Sequence, residues 1–356
     1  MQDIKGFSLE QLEQTLESWG SPAYHARQIF SWIYQKGCVD FDLMSNLPSG
    51  LRERLKKAFF ISSLKLIKTL KSSDRTEKFL FELKDRNLIE AVSIPMTRRA
   101  PGLIGQAGAR RCAVTGCISS QVGCKFCCSF CASGTFGFKR NLSSGEILDE
   151  VLFLKNNSSA KKLTHIVFMG TGEPFDNYEE VLKAIKIINS PAGFNIGARR
   201  ITISTCGLTP GIKKLSDEGM QVELSVSLHA ADEKTRDLIM PVNKIYPLKT
   251  LIPACRQYYE KTDRQITFEY ILIKGVNSDL KNAIILGKLL VGMDAKVNLI
   301  PANTIKELKV EAPAKVDILE FKNTLFKSCV NVTLRKSRGA DIDAACGQLR
   351  LKYESK

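Results

Sequence analysis

The sequence predicts an α/β chain built as an incomplete six-stranded (β/α) barrel, preceded by a small N-terminal helical domain and a β-hairpin extension. Three observations carry this prediction. From Cys117 onward, short apolar strand-like runs alternate with amphipathic helix-like runs, the rhythm of βαβ units and a parallel sheet. The strands of this kind number six in residues 117–356, and a closed eight-fold barrel takes about 250 residues. The polar and glycine-rich segments fall at strand ends, where ligands gather in such folds.

Residues 1–70 read as the helical domain. "SLEQLEQTLESWG" begins at Ser8 and stops at Gly20, as a capped helix does. "AYHARQIFSWIYQKG" places Ile29, Phe30, Ile33 and Tyr34 on one face, and "LPSGLRERLKKAF" is a third, basic helix. Residues 71–116 hold the hairpin and a loop. "TEKFLFELKDRNLIEAVSIP" alternates about a polar "KDRN" turn, and "TRRAPGLIGQAGARRCAVTG" is aperiodic and rich in Gly, Ala and Arg. In the third segment, 117–356, the strands are "CISSQV", "THIVFMG", "RITISTCG", "QVELSVSLHA", "QITFEYILI" and "AKVNLIPAN". Ser143 and Glu146 have the spacing of a capping box for the first intervening helix. A final strand "NVTLRKSRG" and the tail "ADIDAACGQLRLKYESK" follow, and Cys346 in that tail is within reach of the barrel mouth.

Composition narrows the function classes. The 356 residues carry 52 Lys+Arg against 37 Asp+Glu, a formal charge of +15, which suits a polyanionic partner such as RNA. No apolar run approaches a bilayer-spanning length, and "MQDIKGFSLEQLEQ" has no apolar signal region; a soluble, cytoplasmic protein with no membrane partner is expected. In a reducing compartment eleven cysteines do not make a disulfide framework. Cys38, Cys206, Cys255 and Cys329 stand alone and read as buried packing residues.

The clustered cysteines need another account. "CKFCCSFC" puts Cys124, Cys127, Cys128 and Cys131 in eight residues. A zinc site takes two separated pairs of ligands, and no second pair exists here. Cys124-x3-Cys128-x2-Cys131 suits three thiolates on a [4Fe–4S] cluster, leaving one iron open to a small chelating molecule. Cys127 in place of Cys128 gives C-x2-C-x3-C, but Phe130 just before the last cysteine favours Cys128 and leaves Cys127 surplus.

This spacing with that aromatic resembles the radical S-adenosylmethionine enzymes, in which the open iron binds the amino and carboxylate groups of S-adenosylmethionine. "CISSQVGC", "GFKRNLSSGEI", "MGTGEP", "RRITISTCG", "SVSLHA", "MPVN", "NLIPAN" and "RGADIDAACGQL" together look like the RNA adenine-C2 methyltransferase (RlmN-type) family, over nearly the whole chain. The resemblance implies a radical-SAM partial barrel that methylates carbon-2 of an adenine in 23S rRNA, at the peptidyl transferase centre, and of the adenine 3′ of the anticodon in tRNA. It also implies a flavodoxin- or ferredoxin-like electron donor and a monomer. Carbon-2 of adenine is electron-poor and is not the nucleophile that ordinary transfer from S-adenosylmethionine needs, whereas a carbon radical can add to it. In the family, one S-adenosylmethionine methylates a cysteine and a second yields the radical that activates that S-methyl group. A second cysteine frees the product, leaving a disulfide to be reduced.

Matched position by position, the carrier is Cys346, the resolving thiol Cys117 and the proton acceptor Glu90. Gly172, Glu173, Ser204, Ser227, Leu228, His229 and Asn303 match the S-adenosylmethionine contacts, with Glu173 suited to accept from an ammonium. His25 and His165 read as structural. The chain departs from the family in three places: a longer link from Glu90 to Cys117 that adds Cys112, Thr171 in "MGTGEP", and Thr304 after Asn303. Two other readings stand beside this one: the related carbon-8 methyltransferase that confers antibiotic resistance, and a non-catalytic basic RNA-binding protein with a zinc knuckle.

Overall fold

Period-two burial shapes the central sheet of this computed structural model, which describes residues 1–96, 113–135, 137–157, 162–302, 310–335, 338–342, 349 and 353. Ten strands form it: β1 (Lys65–Lys71), β2 (Glu77–Glu82), β3 (Leu88–Met96), β4 (Ala113–Cys117), β5 (Lys162–Phe168), β6 (Ile201–Thr205), β7 (Glu223–Ser227), β8 (Ile266–Leu272), β9 (Ala295–Pro301) and β10 (Asn331–Leu334). They lie side by side in chain order. β4 to β10 run parallel, and β3, β2 and β1 continue the same sheet antiparallel from the β4 edge. β10 thus adds a seventh parallel strand to the six expected, and among the described residues it does not pair with β4, so the barrel stays open.

The first parallel strand is Ala113–Cys117, not the "CISSQV" run. Past Cys117 the chain leaves the ladder, because the N–H groups of Ser120 and Gln121 turn to Thr171 O, at 2.9 and 3.1 Å. Gln121–Val122 instead pairs with Arg140–Asn141 in a separate ribbon. The expected hairpin is present as β2 and β3. Lys65–Lys71, placed with the helical domain by the sequence, is the strand β1.

Helices cover the outer face. α4 (Ser144–Asn157), α5 (Tyr178–Asn189), α6 (Thr209–Asp217), the pair α7 (Glu233–Ile239) and α8 (Leu248–Thr262), α9 (Leu280–Leu290) and α10 (Lys315–Lys327) link successive parallel strands. Each strand turns alternate apolar residues toward them; on β8 these are Ile266, Phe268, Tyr270 and Leu272, all 0% exposed. Ser143 and Glu146 form the expected reciprocal cap on α4, with N–H to side-chain oxygen distances of 2.9 and 3.2 Å.

The N-terminal helices are α1 (Leu9–Ser18), capped reciprocally by Ser8 and Gln11, α2 (Tyr24–Phe30) and α3 (Ser49–Ala58). This unit is anchored on α4 by a buried ion pair between Lys5 and Asp149. Lys5 Nζ also donates to Ser62 O at 2.6 Å, and Ser62 Oγ donates to Asp149 at 2.6 Å, so the desolvated charges are hydrogen-bonded as burial demands. Among the described residues no helix is long and apolar enough to cross a membrane.

Candidate active site

The strand ends meet at one mouth, and glycine makes the meeting possible. After β5 the chain turns through Gly170 and Gly172. A Cβ on Gly170 would stand 2.5 Å from Ile118 O, and one on Gly172, at φ +107°, 2.6 Å from Gln121 Cβ. The turn is thus pressed against the segment that follows Cys117.

Glu173 closes this turn with its carboxylate. Oε1 accepts from Phe175 N–H at 3.0 Å and Oε2 from Cys206 N–H at 2.6 Å, while its own N–H donates to Gln121 Oε1 at 2.8 Å. Burial pushes its carboxyl above the usual range against those hydrogen bonds. Oε2 therefore fastens the end of β5 to the end of β6 while Oε1 caps the turn itself, a fastening role not expected from the sequence.

Cys117 ends β4 at the seam of the sheet. It is buried, paired in register with Val92 of the antiparallel β3 and with Val167 of the parallel β5. Two residues before Val92, Glu90 forms a buried ion pair with Lys78 at 3.0 Å. Glu90 is thus no solvated strand residue, which is how its alternating pattern alone would place it. Ser119 draws the post-Cys117 segment to the same strand: its Oγ donates to Glu90 O at 2.8 Å and accepts from Thr171 N–H at 3.2 Å. Its N–H donates to Glu150 at 2.9 Å, a carboxyl that burial holds well above the ordinary carboxylate range.

The C-terminal tail comes to these antiparallel strands as well. Asp341 accepts from Ser73 N–H at 3.0 Å and from Ser72 Oγ, Gly339 N–H donates to Asp74 at 3.2 Å, and Leu349 packs against Leu80 and Leu88. Leu80 is the residue paired in register with Glu90. Cys346, Asn303 and Cys112 lie outside the described residues. No disulfide joins any two of the nine described cysteines, so the disulfide the resemblance implies is not among them.

The cysteine loop is held at both ends. Gly123, at φ +79°, lies so close to Gly137 O that a Cβ would stand 1.8 Å away, and Ser129 N–H donates to Ile239 O at the end of α7, 3.0 Å. Cys124, Cys128 and Cys131 are partly buried. Burial first, then the neighbouring cysteines, push Cys124 up to about 12 and Cys128 well above the ordinary thiol value. Such thiols release their protons when a metal centre supplies compensating positive charge. Cys127 differs: it is exposed, its backbone is left-handed at φ +47°, and its Sγ turns to Lys125 O and Gly134 O at 3.5 and 3.8 Å. A tetrahedral zinc ion draws thiolates to within about 3.8 Å of one another, from bonds of about 2.3 Å. Among the described residues no three His, Cys, Asp or Glu side chains are grouped so as to hold a single metal ion. Three mutually interacting thiols with the fourth turned out fit the open-iron cluster expected from their spacing.

The far wall comes from β6 to β9. Ser204 and Ser227 lie half-buried on β6 and β7, and Leu228 is buried with its N–H on Glu269 O at 3.1 Å. His229, at φ +56°, accepts from Ile271 N–H at Nδ1, 3.0 Å, which places the ring proton on Nε2. Burial, with Arg236 adding, lowers His229 to about 3, so the ring is neutral. Its ring meets Phe130 edge-on at 4.7 Å, joining the aromatic of the cysteine loop to the strand-end histidine.

Three residues here were not assigned to the site by sequence. Glu269 organises the barrel interior, accepting from Ser225 Oγ and Asn298 Nδ2 at 3.1 and 3.0 Å, with Arg335 Nη1 4.0 Å away. Cys206, read from sequence as a packing residue, sits at the mouth beside Glu173, and burial pushes its thiol well up. Arg236 lies fully buried behind it. The signal for Arg236 was a charged residue in register with Ile239 and Met240 on the inward face of a short helix.

Fold and thiol loop together define a radical S-adenosylmethionine enzyme, and the model of the Radical SAM superfamily matches residues 118–284. Residues 2–61 match the "Ribosomal RNA large subunit methyltransferase N-terminal domain" model. A radical SAM methyltransferase of solved structure from Sphaerobacter thermophilus superposes with a TM-score of 0.88 at 40% identity, over 98% of this chain and 99% of that one. Probable dual-specificity RNA methyltransferases RlmN from Caldanaerobacter subterraneus subsp. tengcongensis and from Clostridium novyi are each 44% identical over 354 residues, 99% of each chain. The chain belongs to the RlmN family of radical SAM RNA methyltransferases. The cofactors of the superfamily are a [4Fe–4S] cluster and S-adenosylmethionine.

Proposed function

We propose that this chain methylates carbon-2 of an adenine in RNA, with 23S rRNA and tRNA as its substrates and Cys346 as its methyl carrier. The observation that carries the reading is the seam at β3 and β4: Cys117 ends β4 there, Glu90 lies two residues before its partner Val92, and Leu349 of the C-terminal tail packs on Leu80 and Leu88 beside Glu90. When bound, the cluster and S-adenosylmethionine supply a methyl group and a carbon-centred radical. Cys124, Cys128 and Cys131 would hold the cluster as thiolates, their protons released to solvent. Gly170 and Gly172 keep the cofactor turn free of side chains, and Glu173 braces that turn against the end of β6. Ser204, Ser227, the neutral His229 and Asn303 would line the adenosyl end. Cys346 takes the methyl group as a thioether, the thiolate being the reactive form. Glu90 accepts the proton lost from carbon-2. Cys117 then attacks the Cys346 sulfur: a sulfur–sulfur bond forms, the carbon–sulfur bond breaks with its electron pair leaving on the methylene carbon, that carbon takes up a proton to become the methyl group, and the disulfide is reduced before the next cycle.

The test separates the two thiols. Cys117→Ala retains the carrier and should accumulate RNA bonded to protein through Cys346, visible as a nuclease-sensitive, slowly migrating band on denaturing gels. Cys346→Ala should give neither methylation nor adduct. An adduct from Cys346→Ala, or none from a cluster-loaded Cys117→Ala, reverses or removes the assignment.

A further inference from the structure

Arg236, on α7, has no exposed surface, and all five of its N–H donors are engaged. Nε donates to Leu228 O at 3.1 Å, Nη1 to Asn243 Oδ1 at 2.7 Å and Tyr246 O at 3.3 Å, and Nη2 to Cys206 O at 2.7 Å and Ser227 O at 3.4 Å. Every acceptor is neutral, and no described carboxylate lies within 4.0 Å of the guanidinium. Glu233 and Asp237 reach it through the Asn243 amide, which donates to both at 2.7 Å. A buried charge without an anion beside it is strongly unfavourable, yet the fold makes room for this one. Gly207, at φ +113°, has no Cβ where one would stand 3.1 Å from Nη2.

The guanidinium lies at the strand ends that meet the cysteine loop: it donates to Leu228 O, next to the His229 ring that touches Phe130 at 4.7 Å. The same short helix holds that loop, through Ser129 N–H on Ile239 O at 3.0 Å. We infer that Arg236 is a fixed counter-charge for an anionic iron–sulfur cluster on Cys124, Cys128 and Cys131, and that it eases the arrival of an electron there. The inference rests on the cluster assignment made under the proposed function. Three thiolates outweigh the two positive charges of an oxidised [4Fe–4S] core by one, and one electron raises the excess to two. A nearby positive charge in a poorly screened interior favours the more negative form. With all five donors used, Arg236 acts through its field and not by donating to a ligand, which makes it a positioning residue.

The experiment is an EPR-monitored redox titration of the full-length, anaerobically reconstituted protein. Arg236→Gln removes the charge and keeps amide donors; Arg236→Lys keeps the charge and loses the fork. Cys255→Asp leaves Arg236 in place and sets a carboxylate near it, since Leu251, one turn before Cys255 on α8, lies with the guanidinium beside Gly207. Arg236→Gln and Cys255→Asp should each lower the reduction equilibrium at least tenfold, a midpoint about 59 mV more negative for a one-electron couple. Arg236→Lys should move it by less than half as much. Equal shifts in Arg236→Lys and Arg236→Gln would make Arg236 a mere brace for the strand ends. An unmoved midpoint in Cys255→Asp would overturn the inference even where Arg236→Gln fails to fold. A wild-type protein that takes up no cluster would instead sink the cluster assignment, a separate failure.

Discussion

Replacing Glu90 by Gln tests whether the carboxylate at the seam is structural, chemical or both. Lys78 Nζ lies 3.0 Å from Glu90 Oε2, and the two side chains are 0% and 4% exposed. Removing one member of a buried pair costs about 3–5 kcal/mol, because the other charge stays desolvated; the folding equilibrium then falls roughly 10²- to 10⁴-fold. The expected result is a Glu90→Gln chain that unfolds at distinctly lower urea, followed by far-UV circular dichroism, which reports the sheet directly. Adding Lys78→Met removes the buried ammonium as well. Since exchanging a buried pair for uncharged side chains is often neutral or favourable by about 1–4 kcal/mol, the double variant should regain most of the loss. If Glu90 is also the proton acceptor, that double variant folds, holds its cluster and still makes no methylated RNA. Recovery of methylation along with stability would refute the chemical role. An unchanged urea midpoint in Glu90→Gln alone would refute the energetic reasoning.

The neutral His229 sets a pH dependence. Its folded value of about 3 lies below the unfolded value of about 6.5, so between these limits the unfolded chain binds a proton that the folded chain refuses. Its contribution is complete above about pH 6.5 and falls by about 1.4 kcal/mol per pH unit on acidification; urea midpoints of wild type and His229→Asn should converge from pH 7 to 4.5, and parallel curves would contradict this. Iron content should collapse in Cys128→Ala and persist in Cys127→Ala, whose sulfur is turned to solvent; the opposite pattern would replace Cys128 by Cys127 as the ligand. Changing Arg52, Arg54, Lys56 and Lys57 of α3 to Gln should weaken RNA binding and lower the slope of log affinity against log salt by about 0.7 per lost contact to a single strand. An unchanged slope would leave α3 a structural cap. Substitution serves better than deleting residues 1–70, which would strip Asp149 of Lys5 and Ser62.

The sequence alone was enough for whatever is written in short-range pattern. Alternating polarity marks β2 and β3, the Ser143–Glu146 spacing marks the start of α4, and thiol spacing with Phe130 marks the metal loop, because each is specified within a few consecutive residues. Even there the first parallel strand was misplaced, since its end is set by hydrogen bonds from Ser120 and Gln121 to Thr171, some fifty residues away. Tertiary structure decided the rest. Lys78 meets Glu90 through the antiparallel register, Glu173 finds the N–H of Cys206 across two strand ends, and Arg236 collects acceptors from residues 206, 227, 228, 243 and 246. No local pattern marks a glutamate or an arginine whose partners lie on other strands. Its burial becomes tolerable when the fold brings those partners within hydrogen-bond reach, and that condition belongs to the packed sheet, not to the segment that carries the residue.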